Sequence, residues 1–391
     1  MPNNYAGLRR LSKIDAVAGK RCAARLLAIR QSLLPLRKRK SDTSLLLATW
    51  NIRDFDSNKF GFGPRLPETF YYLAEMIACF DLVAVQEVNR DLSALEQVMS
   101  ILGREWDYIA TDTTTGSGGN DERMAFLYNT EKVWFRKIAG EIVLPEGQLI
   151  ISRKKAKAPK DAPAAAPSVA AADKAKDAFT EVKQQFARTP FMVAFQSGWF
   201  RFNLCTVHIY FGAESGEALK RRIGEIEQLV SFFADRQDKA SQQEKDRLGN
   251  VENYILLGDF NVVSPEHKTM AALKSKGFTV PAAIDGKKVR GPEDHFYDQI
   301  AVRVKDPRFK VVGGGILDMF QDVFRDVAED RAIYADRLPA SDPEADPAFK
   351  ATTPEKLYAK WRTWQMSDHA PLWIEIETDF ADDYLGSLAK P

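Results

Sequence analysis

Short apolar segments recur along the chain and predict the strands of a buried sheet. The first, residues 45–50, is a nearly unbroken apolar run, which is typical of a strand covered on both faces. Seven further segments are predicted strands, at 82–85, 124–128, 191–195, 200–208, 254–257, 299–304 and 372–376. A sheet of this size needs helices to cover it, and the intervals between the strands carry them.

Helices are predicted over 67–79, 92–102 and 221–233, between strands of this set. A longer amphipathic helix is predicted over 5–34, ending at Pro35, with apolar positions at Leu8, Leu11, Ile14, Ala18, Cys22, Leu26, Ile29 and Leu33. Because strands alternate with helices while some neighbouring strands are joined by short turns, we expect a mixed α/β domain rather than a purely parallel one.

The charge of the chain is unevenly distributed. Of 391 residues, 45% are hydrophobic and the net charge is +1, an ordinary globular composition. Residues 1–40 hold eleven Lys and Arg against one acid, a net +10, which leaves −9 for the rest. A basic arm on an acidic body indicates contact with a polyanion or with the body itself, and a solvated charged helix is the plain alternative.

These features predict two regions, a basic helical arm over 1–43 and one domain over 44–391. Residues 152–177 are rich in Ala, Lys and Pro, so we predict a flexible insertion within the domain. A second irregular stretch is predicted over about 336–355. No apolar run approaches the roughly 18 residues of a membrane span. Because residues near the N-terminus form no compact apolar stretch followed by a small-residue cleavage site, we expect no secretory signal.

The chain has three cysteines, and they lie far apart without CxxC spacing. They are Cys22, Cys79 and Cys205. An odd number at this spacing argues against a disulfide framework and a zinc site, and it favours a reducing compartment. Together with the missing secretory signal, this predicts a cytoplasmic location.

Polar clusters lie at the ends of several predicted strands, where open α/β sheets build their sites. The residues concerned are Asn51, Arg53, Glu87, His208, Asp259, Asn261, Asp298, Asp368 and His369. Carboxylate and amide oxygens suit Mg²⁺ or Mn²⁺ better than zinc. Each Asp or Asn alone is better explained by a turn cap, whereas two of the chain's four histidines fall in these clusters. The other two, His267 and His295, lie in polar loops where we expect surface roles.

Taken together, these clusters resemble the endonuclease/exonuclease/phosphatase superfamily in their chain order, over residues 45–378. The matching motifs are Thr49-Trp50-Asn51-Ile52-Arg53, Gln86-Glu87-Val88, Gly258-Asp259-Phe260-Asn261, Tyr297-Asp298-Gln299-Ile300 and Ser367-Asp368-His369. The details are most similar to the deoxyribonuclease I-like branch, through Asn51-Ile52-Arg53, His208, Glu122 and Tyr297-Asp298-Gln299. The resemblance implies an α/β (α+β) four-layer sandwich, in which helices cover both outer faces of two packed mixed sheets.

The resemblance also implies roles for individual residues. Glu87 with Asn51 would hold Mg²⁺ or Mn²⁺ on the scissile phosphate, and Asp368 would stand on the metal side of the last motif. Two pairs would transfer protons, His369 with Asp298 and His208 with Glu122. Asp259 and Asn261 would orient water, contact phosphate or bind a second metal. Arg53 and Arg188 would clamp phosphate.

The expected function is metal-dependent hydrolysis of phosphodiester bonds in nucleic acid, with a DNA endonuclease as the first interpretation. A phosphatase or phosphodiesterase acting on a phospholipid or small phosphoester is the alternative on the same fold, because a metal site recognises the phosphate and not what lies beyond it. A non-catalytic binding module is the third interpretation. DNA versus RNA, endo- versus exo-cleavage, the number of metals and the oligomeric state stay open.

Overall fold

Two mixed β-sheets pack face to face in the computed structural model, which describes residues 3–113, 121–155, 179–244, 252–289, 296–344 and 353–389. The first sheet has the strand order β12-β13-β1-β2-β4-β3. Its strands are β1 (Ser44–Phe55), β2 (Leu82–Val88), β3 (Trp106–Ala110), β4 (Arg123–Asn129), β12 (Val311–Ile316) and β13 (Leu372–Glu377). Strand β1 runs parallel to β2 and antiparallel to β13, so this sheet is mixed.

The second sheet has the order β11-β10-β9-β8-β5 and is mixed as well, because β9 and β10 are parallel within it. Its strands are β5 (Trp134–Glu141), β8 (Phe191–Ser197), β9 (Phe200–His208), β10 (Tyr254–Asp259) and β11 (Asp298–Arg303). A small third sheet pairs β6 (Ile150–Lys155) with β7 (Phe179–Gln184). The predicted flexible insertion therefore begins as strand over 152–155, and its remainder lies outside the described residues.

Helices cover the outer faces of both sheets, so the predicted four-layer α/β sandwich is confirmed. They are α1 (Leu8–Ile14), α2 (Ala16–Ser32), α3 (Leu34–Arg37), α4 (Pro67–Ile77), α5 (Ser93–Leu102), α6 (Gly216–Glu244), α7 (Lys268–Leu273), α8 (Ala328–Ile333), α9 (Pro354–Gln365) and α10 (Ala381–Leu388). Strand β1 shows why a hydrophobic core forms on each of its two faces. Leu45 and Leu47 point into the core between the sheets, whereas Leu46 and Trp50 point into the core beneath the helices.

The N-terminal arm packs against the body instead of standing free. The prediction of a single helix over 5–34 is wrong, because Asp15 is extended and separates α1 from α2. The Asp15 side chain then caps α2 by accepting a bond from Ala18 N at 2.8 Å. One face of α2 is buried through Cys22, Leu26 and Ile29, so the arm completes the core beneath the helices.

Six of the eleven basic residues in 1–40 are paired with acidic groups of the body. Side chains of Arg21, Arg25, Arg30, Arg37, Arg39 and Lys40 form ion pairs with Glu68, Asp330, Glu75, Glu375 and Asp81. Most of these carboxylates are almost fully buried. The charge distribution indicated that the arm contacts a polyanion or the body, and the structure shows the contact with the body.

The stretch predicted to be irregular over 336–355 contains short regular pieces. A 3₁₀ turn covers Ala335–Arg337, α9 begins at Pro354, and residues 345–352 lie outside the described part of the chain. All three cysteines are buried free thiols. Across the described ranges, none of the helices has both the length and the apolar character needed to cross a membrane.

Candidate active site

Four parallel strand ends meet at one edge of the sandwich, two from each sheet. Asn51 pairs with Gln86 across β1 and β2, while His208 pairs with Asp259 across β9 and β10. The antiparallel strands β11 and β13 start at this same edge, so they supply Asp298 and the segment 367–369. The topology therefore brings together polar clusters that are scattered along the sequence.

Asn51 joins the two sheets at the centre of the site. Its Nδ2 donates to Glu87 Oε1 at 3.0 Å in its own sheet and to Asp259 Oδ2 at 3.1 Å in the other. The side chain is 1% exposed, and its Oδ1 has no hydrogen-bond partner. A buried amide oxygen left without a donor is costly unless a ligand or cation completes it.

Glu87 is held in an uncommon backbone conformation beside Asn51. Its φ is +60°, in the left-handed region that non-glycine residues rarely adopt. Such a conformation costs about 1–3 kcal/mol and is found most often at functional sites. The second carboxylate oxygen accepts a bond from Asp54 N at 2.8 Å, which fixes the side chain toward the site. Glu87 remains partly open to solvent, with 17% of its side chain exposed.

The first histidine–carboxylate pair is His208 with Glu122. His208 Nδ1 lies 3.2 Å from Glu122 Oε2, and its Nε2 lies 3.6 Å from Asp259 Oδ2. Burial opposes ionisation of Glu122, but the hydrogen bond and charge of His208, with the charges of Arg188 and Lys59, lower its pKa to about 2. Glu122 is therefore ionised at neutral pH.

The second pair is His369 with Asp298. His369 Nδ1 lies 2.6 Å from the fully buried Asp298 Oδ2, which leaves Nε2 as the ring nitrogen available to a substrate. Burial alone lowers the pKa of His369, but the charge and hydrogen bond of Asp298 raise it well above its usual value. The backbone of His369 is also fixed, because its carbonyl accepts a 2.8 Å bond from Trp50 Nε1.

Ser367 orders the polypeptide around this second pair. Its Oγ donates to Asn51 O at 2.6 Å and accepts the backbone N–H of His369 at 3.0 Å and of Arg53 at 3.2 Å. Ser367 is therefore a local hydrogen-bonding residue. The same three bonds fix the register between strand β1 and the segment that carries His369.

Asp259 and Asn261 lie between the two pairs. Burial raises the pKa of Asp259, but the charges of His369 and His208 outweigh it and lower that pKa. Asn261 donates its Nδ2 to Ile209 O at 2.7 Å and its backbone N–H to Asp259 Oδ1 at 2.9 Å. Asn261 thus supports the turn after β10 and the loop after β9.

Both arginines predicted to clamp phosphate have carboxylate partners in this structure. Arg188 Nε donates to Glu122 Oε2 at 2.8 Å, which ties it to the first histidine pair. Arg53 pairs with Glu344 and donates to Thr363 Oγ1 at 3.0 Å. Its Nε lies 4.0 Å from Asp368 Oδ2, so Arg53 and the partly exposed Asp368 stand together at the rim.

The oxygen donors fit a hard divalent cation that keeps most of its water. The buried Asn51 Oδ1 and the partly exposed carboxylate of Glu87 are adjacent, and Asp259 shares their hydrogen-bond network. In the described ranges, no three His, Cys, Asp or Glu side chains form a preformed metal cage. Mg²⁺ does not require one, since it is commonly held through one or two carboxylates and retains several waters.

Sequence reasoning missed Lys59, the cation next to the first pair. Its Nζ lies 3.5 Å from Glu122 Oε1 and 3.7 Å from Asp54 Oδ1. It stands in a loop between β1 and α4 with no motif around it, so nothing in the sequence marked it. His267, expected at the surface, caps α7 by accepting from Thr269 N at 3.3 Å, and His295 lies outside the described residues.

Comparison with known proteins gives matches in structure only. No protein-family profile and no curated protein sequence matches the chain. An endonuclease/exonuclease/phosphatase family protein from Bacteroides thetaiotaomicron is 20% identical over 86% of this chain and 96% of its own, with a TM-score of 0.46. A mannosyl-6-phosphatase from the same bacterium is 20% identical over 85% and 99%, with a TM-score of 0.44.

The catalytic domain of human Nocturnin with bound sulfate is 12% identical over 85% of this chain and 94% of its own, with a TM-score of 0.46. Structures named for the endonuclease/exonuclease/phosphatase family are thus among those to which the chain is similar. The likeness concerns the fold, and a fold does not by itself define a substrate.

Proposed function

We propose that the chain is a metal-dependent phosphodiesterase acting on nucleic acid, with DNA as the first substrate to test. The observation that carries this proposal is the convergence of two histidine–carboxylate pairs on Asp259. His208 Nε2 lies 3.6 Å from Asp259, and the charge of His369 contributes to the lowered pKa of the same carboxyl. Hydrolysis of a phosphodiester needs this combination of a base, an acid and neutralised phosphoryl charge.

His369 is proposed to accept the proton of the attacking water at Nε2. Its Nδ1 is bound to Asp298, which sets the tautomer and stabilises the imidazolium once the proton has moved. Because Asp298 raises the pKa of His369, the ring is held in its protonated form, and the charge of a bound cation would lower that pKa and free Nε2 to accept the proton. Asp259 would orient that water.

His208 is proposed to act on the opposite side of the phosphate. Its Nδ1 lies 3.2 Å from Glu122 Oε2, so Nε2 is the ring nitrogen that would donate a hydrogen bond to a phosphoryl oxygen or a proton to the leaving oxygen. Lys59 lies 3.5 Å from Glu122 Oε1, and Arg188 donates to Glu122 Oε2 at 2.8 Å. Bound at Asn51 and Glu87, Mg²⁺ or Mn²⁺ would polarise the phosphoryl group and neutralise its charge.

We expect Glu87→Gln to raise the Mg²⁺ concentration needed for half-maximal activity at least tenfold, because the neutral amide removes the one partly exposed carboxylate next to Asn51. Calorimetric titration of Mg²⁺ into the folded protein checks binding directly. Glu96→Gln, an exposed carboxylate on α5, is the matched control and should titrate as the wild type. Wild-type protein that binds neither Mg²⁺ nor Mn²⁺ would instead favour a non-catalytic module.

A phosphatase or phosphodiesterase of small phosphoesters is the second candidate, and the ion pairs of the cationic residues favour it. Arg53, Arg188 and five arginines of the arm (Arg21, Arg25, Arg30, Arg37 and Arg39) have carboxylate partners, which reduces their attraction for a polyanion. A panel of supercoiled plasmid, RNA, sphingomyelin and inositol phosphates with Mg²⁺, Mn²⁺ or chelator separates the two. We expect metal-dependent nicking of the plasmid. Turnover of the small phosphoesters alone would establish the second candidate.

A further inference from the structure

The loop that follows β9 next to the site, residues 209–212, is fixed by buried polar groups. Asn261 Nδ2 donates to Ile209 O at 2.7 Å, and Tyr210 N donates to Glu225 Oε2 at 3.0 Å. Glu225 is fully buried on α6. Burial of a carboxylate is costly unless hydrogen bonds compensate it, so this contact holds the loop strongly against the helix.

A second buried charge holds the far end of the loop. Arg222 is 0% exposed, and its guanidinium donates to Asn261 O at 3.1 Å and also to Gly212 O. Its guanidinium carbon lies 5.8 Å from the centre of the Phe211 ring, within cation–π distance. The backbone on both sides of Phe211 is therefore immobilised by α6 and by the turn that carries Asn261.

Phe211 itself extends from this fixed loop toward solvent, beside the second histidine pair. Its ring meets Tyr297 edge to face at 6.4 Å, and Tyr297 stacks on His369 at 5.8 Å with an interplanar angle of 28°. Phe211 is nevertheless 58% exposed. Single exposed apolar residues are ordinary on protein surfaces. This one is held rigidly and continues a row of rings from His369 to the solvent.

We propose that Phe211, together with Tyr297, binds the nucleobase next to the scissile phosphate by stacking. This inference rests on the proposed phosphodiesterase function and gives its substrate a chemical class, a phosphodiester that carries a flat aromatic group. Stacking on an aromatic side chain tolerates every base, since each base has a π-face. Phe211 would then determine specificity through substrate binding, while His369 carries out the proton transfer.

Two phosphodiesters with the same leaving group test this directly, thymidine 5′-(p-nitrophenyl phosphate) and methyl p-nitrophenyl phosphate. The measured quantity is the ratio of their kcat/KM values with Mg²⁺. We expect Phe211→Ala to lower this ratio about 5- to 100-fold, the range that stacking of one base provides. Most of the change should appear in KM for the nucleoside ester. Phe211→Trp should keep the wild-type ratio, because it restores an aromatic face.

Trp134→Ala, which removes another largely exposed ring on β5, is the matched control and should keep the wild-type ratio. A ratio unchanged in Phe211→Ala, or an equal loss for both esters, overturns the inference. If the wild type hydrolyses neither ester, the proposed function fails and binding still decides the inference. Calorimetry would then compare the binding of thymidine 5′-monophosphate with that of methyl phosphate. A wild-type preference for thymidine 5′-monophosphate that is lost in Phe211→Ala supports the inference. Equal binding by wild type and variant overturns it.

Discussion

We expect His369→Ala to lower metal-dependent phosphodiester hydrolysis about 10²- to 10⁴-fold, the contribution typical of general acid–base catalysis. The reason is geometric: Nδ1 is bound to Asp298 at 2.6 Å, so Nε2 is the nitrogen that can accept the proton of the attacking water. Alanine removes that nitrogen and also leaves Asp298 buried without its partner. His369→Asn separates the two effects, because its amide keeps a donor for Asp298 but provides no base.

Initial rates of plasmid nicking and of p-nitrophenyl ester hydrolysis measure the effect, with thermal unfolding to show that each variant is folded. His267→Asn is the matched control, since His267 caps α7 and asparagine is a good N-cap. It should keep wild-type rates. A folded His369→Asn protein that cleaves at the wild-type rate would remove His369 from the mechanism and leave His208 as the candidate base.

The resemblance of the motifs implied both histidine–carboxylate pairs of the site, and the structure places the two members of each pair side by side. Asp298 and His369 begin or precede antiparallel strands, and Asp259 ends a parallel one, so the sheet order alone brings them together. The partners of long side chains could not be predicted in this way. Arg53 reaches Glu344, which lies 291 residues away in a segment without a motif. Such pairs depend on loop conformations that apolar patterning does not encode.

The strands were predictable for a related reason. Those buried on both faces, such as β2 and β10, are apolar over their first four residues and were found within two or three residues of their ends. Strand β5 is exposed along most of its length and β12 contains three consecutive glycines, so neither carries a strand pattern. The missed elements are thus the edge strands and short helices whose positions depend on tertiary contacts.

The buried carboxylate of Glu75 binds the N-terminal arm to the body. This group is 0% exposed and accepts bonds from Arg30 at 3.1 Å, from Asn3 at 2.8 Å, and from Arg37 and Tyr5. We expect Arg30→Ala/Arg37→Ala to lower the free energy of unfolding by about 3–5 kcal/mol, because it leaves a buried charge without a cation. Adding Glu75→Gln to this variant should restore much of the loss.

Urea unfolding measures the loss in free energy of unfolding, which we expect as a lower transition midpoint at unchanged slope. Arg9→Ala/Arg10→Ala is the matched control, since it removes two exposed charges from the same arm and should shift stability by less than about 0.5 kcal/mol. DNA affinity against salt concentration separates the structural role from a polyanion role. If Arg30→Ala/Arg37→Ala keeps the wild-type midpoint but flattens the salt dependence of DNA binding, then the arm serves the substrate. Because its arginines already neutralise the acidic body, we expect the stability to change and the salt dependence to persist.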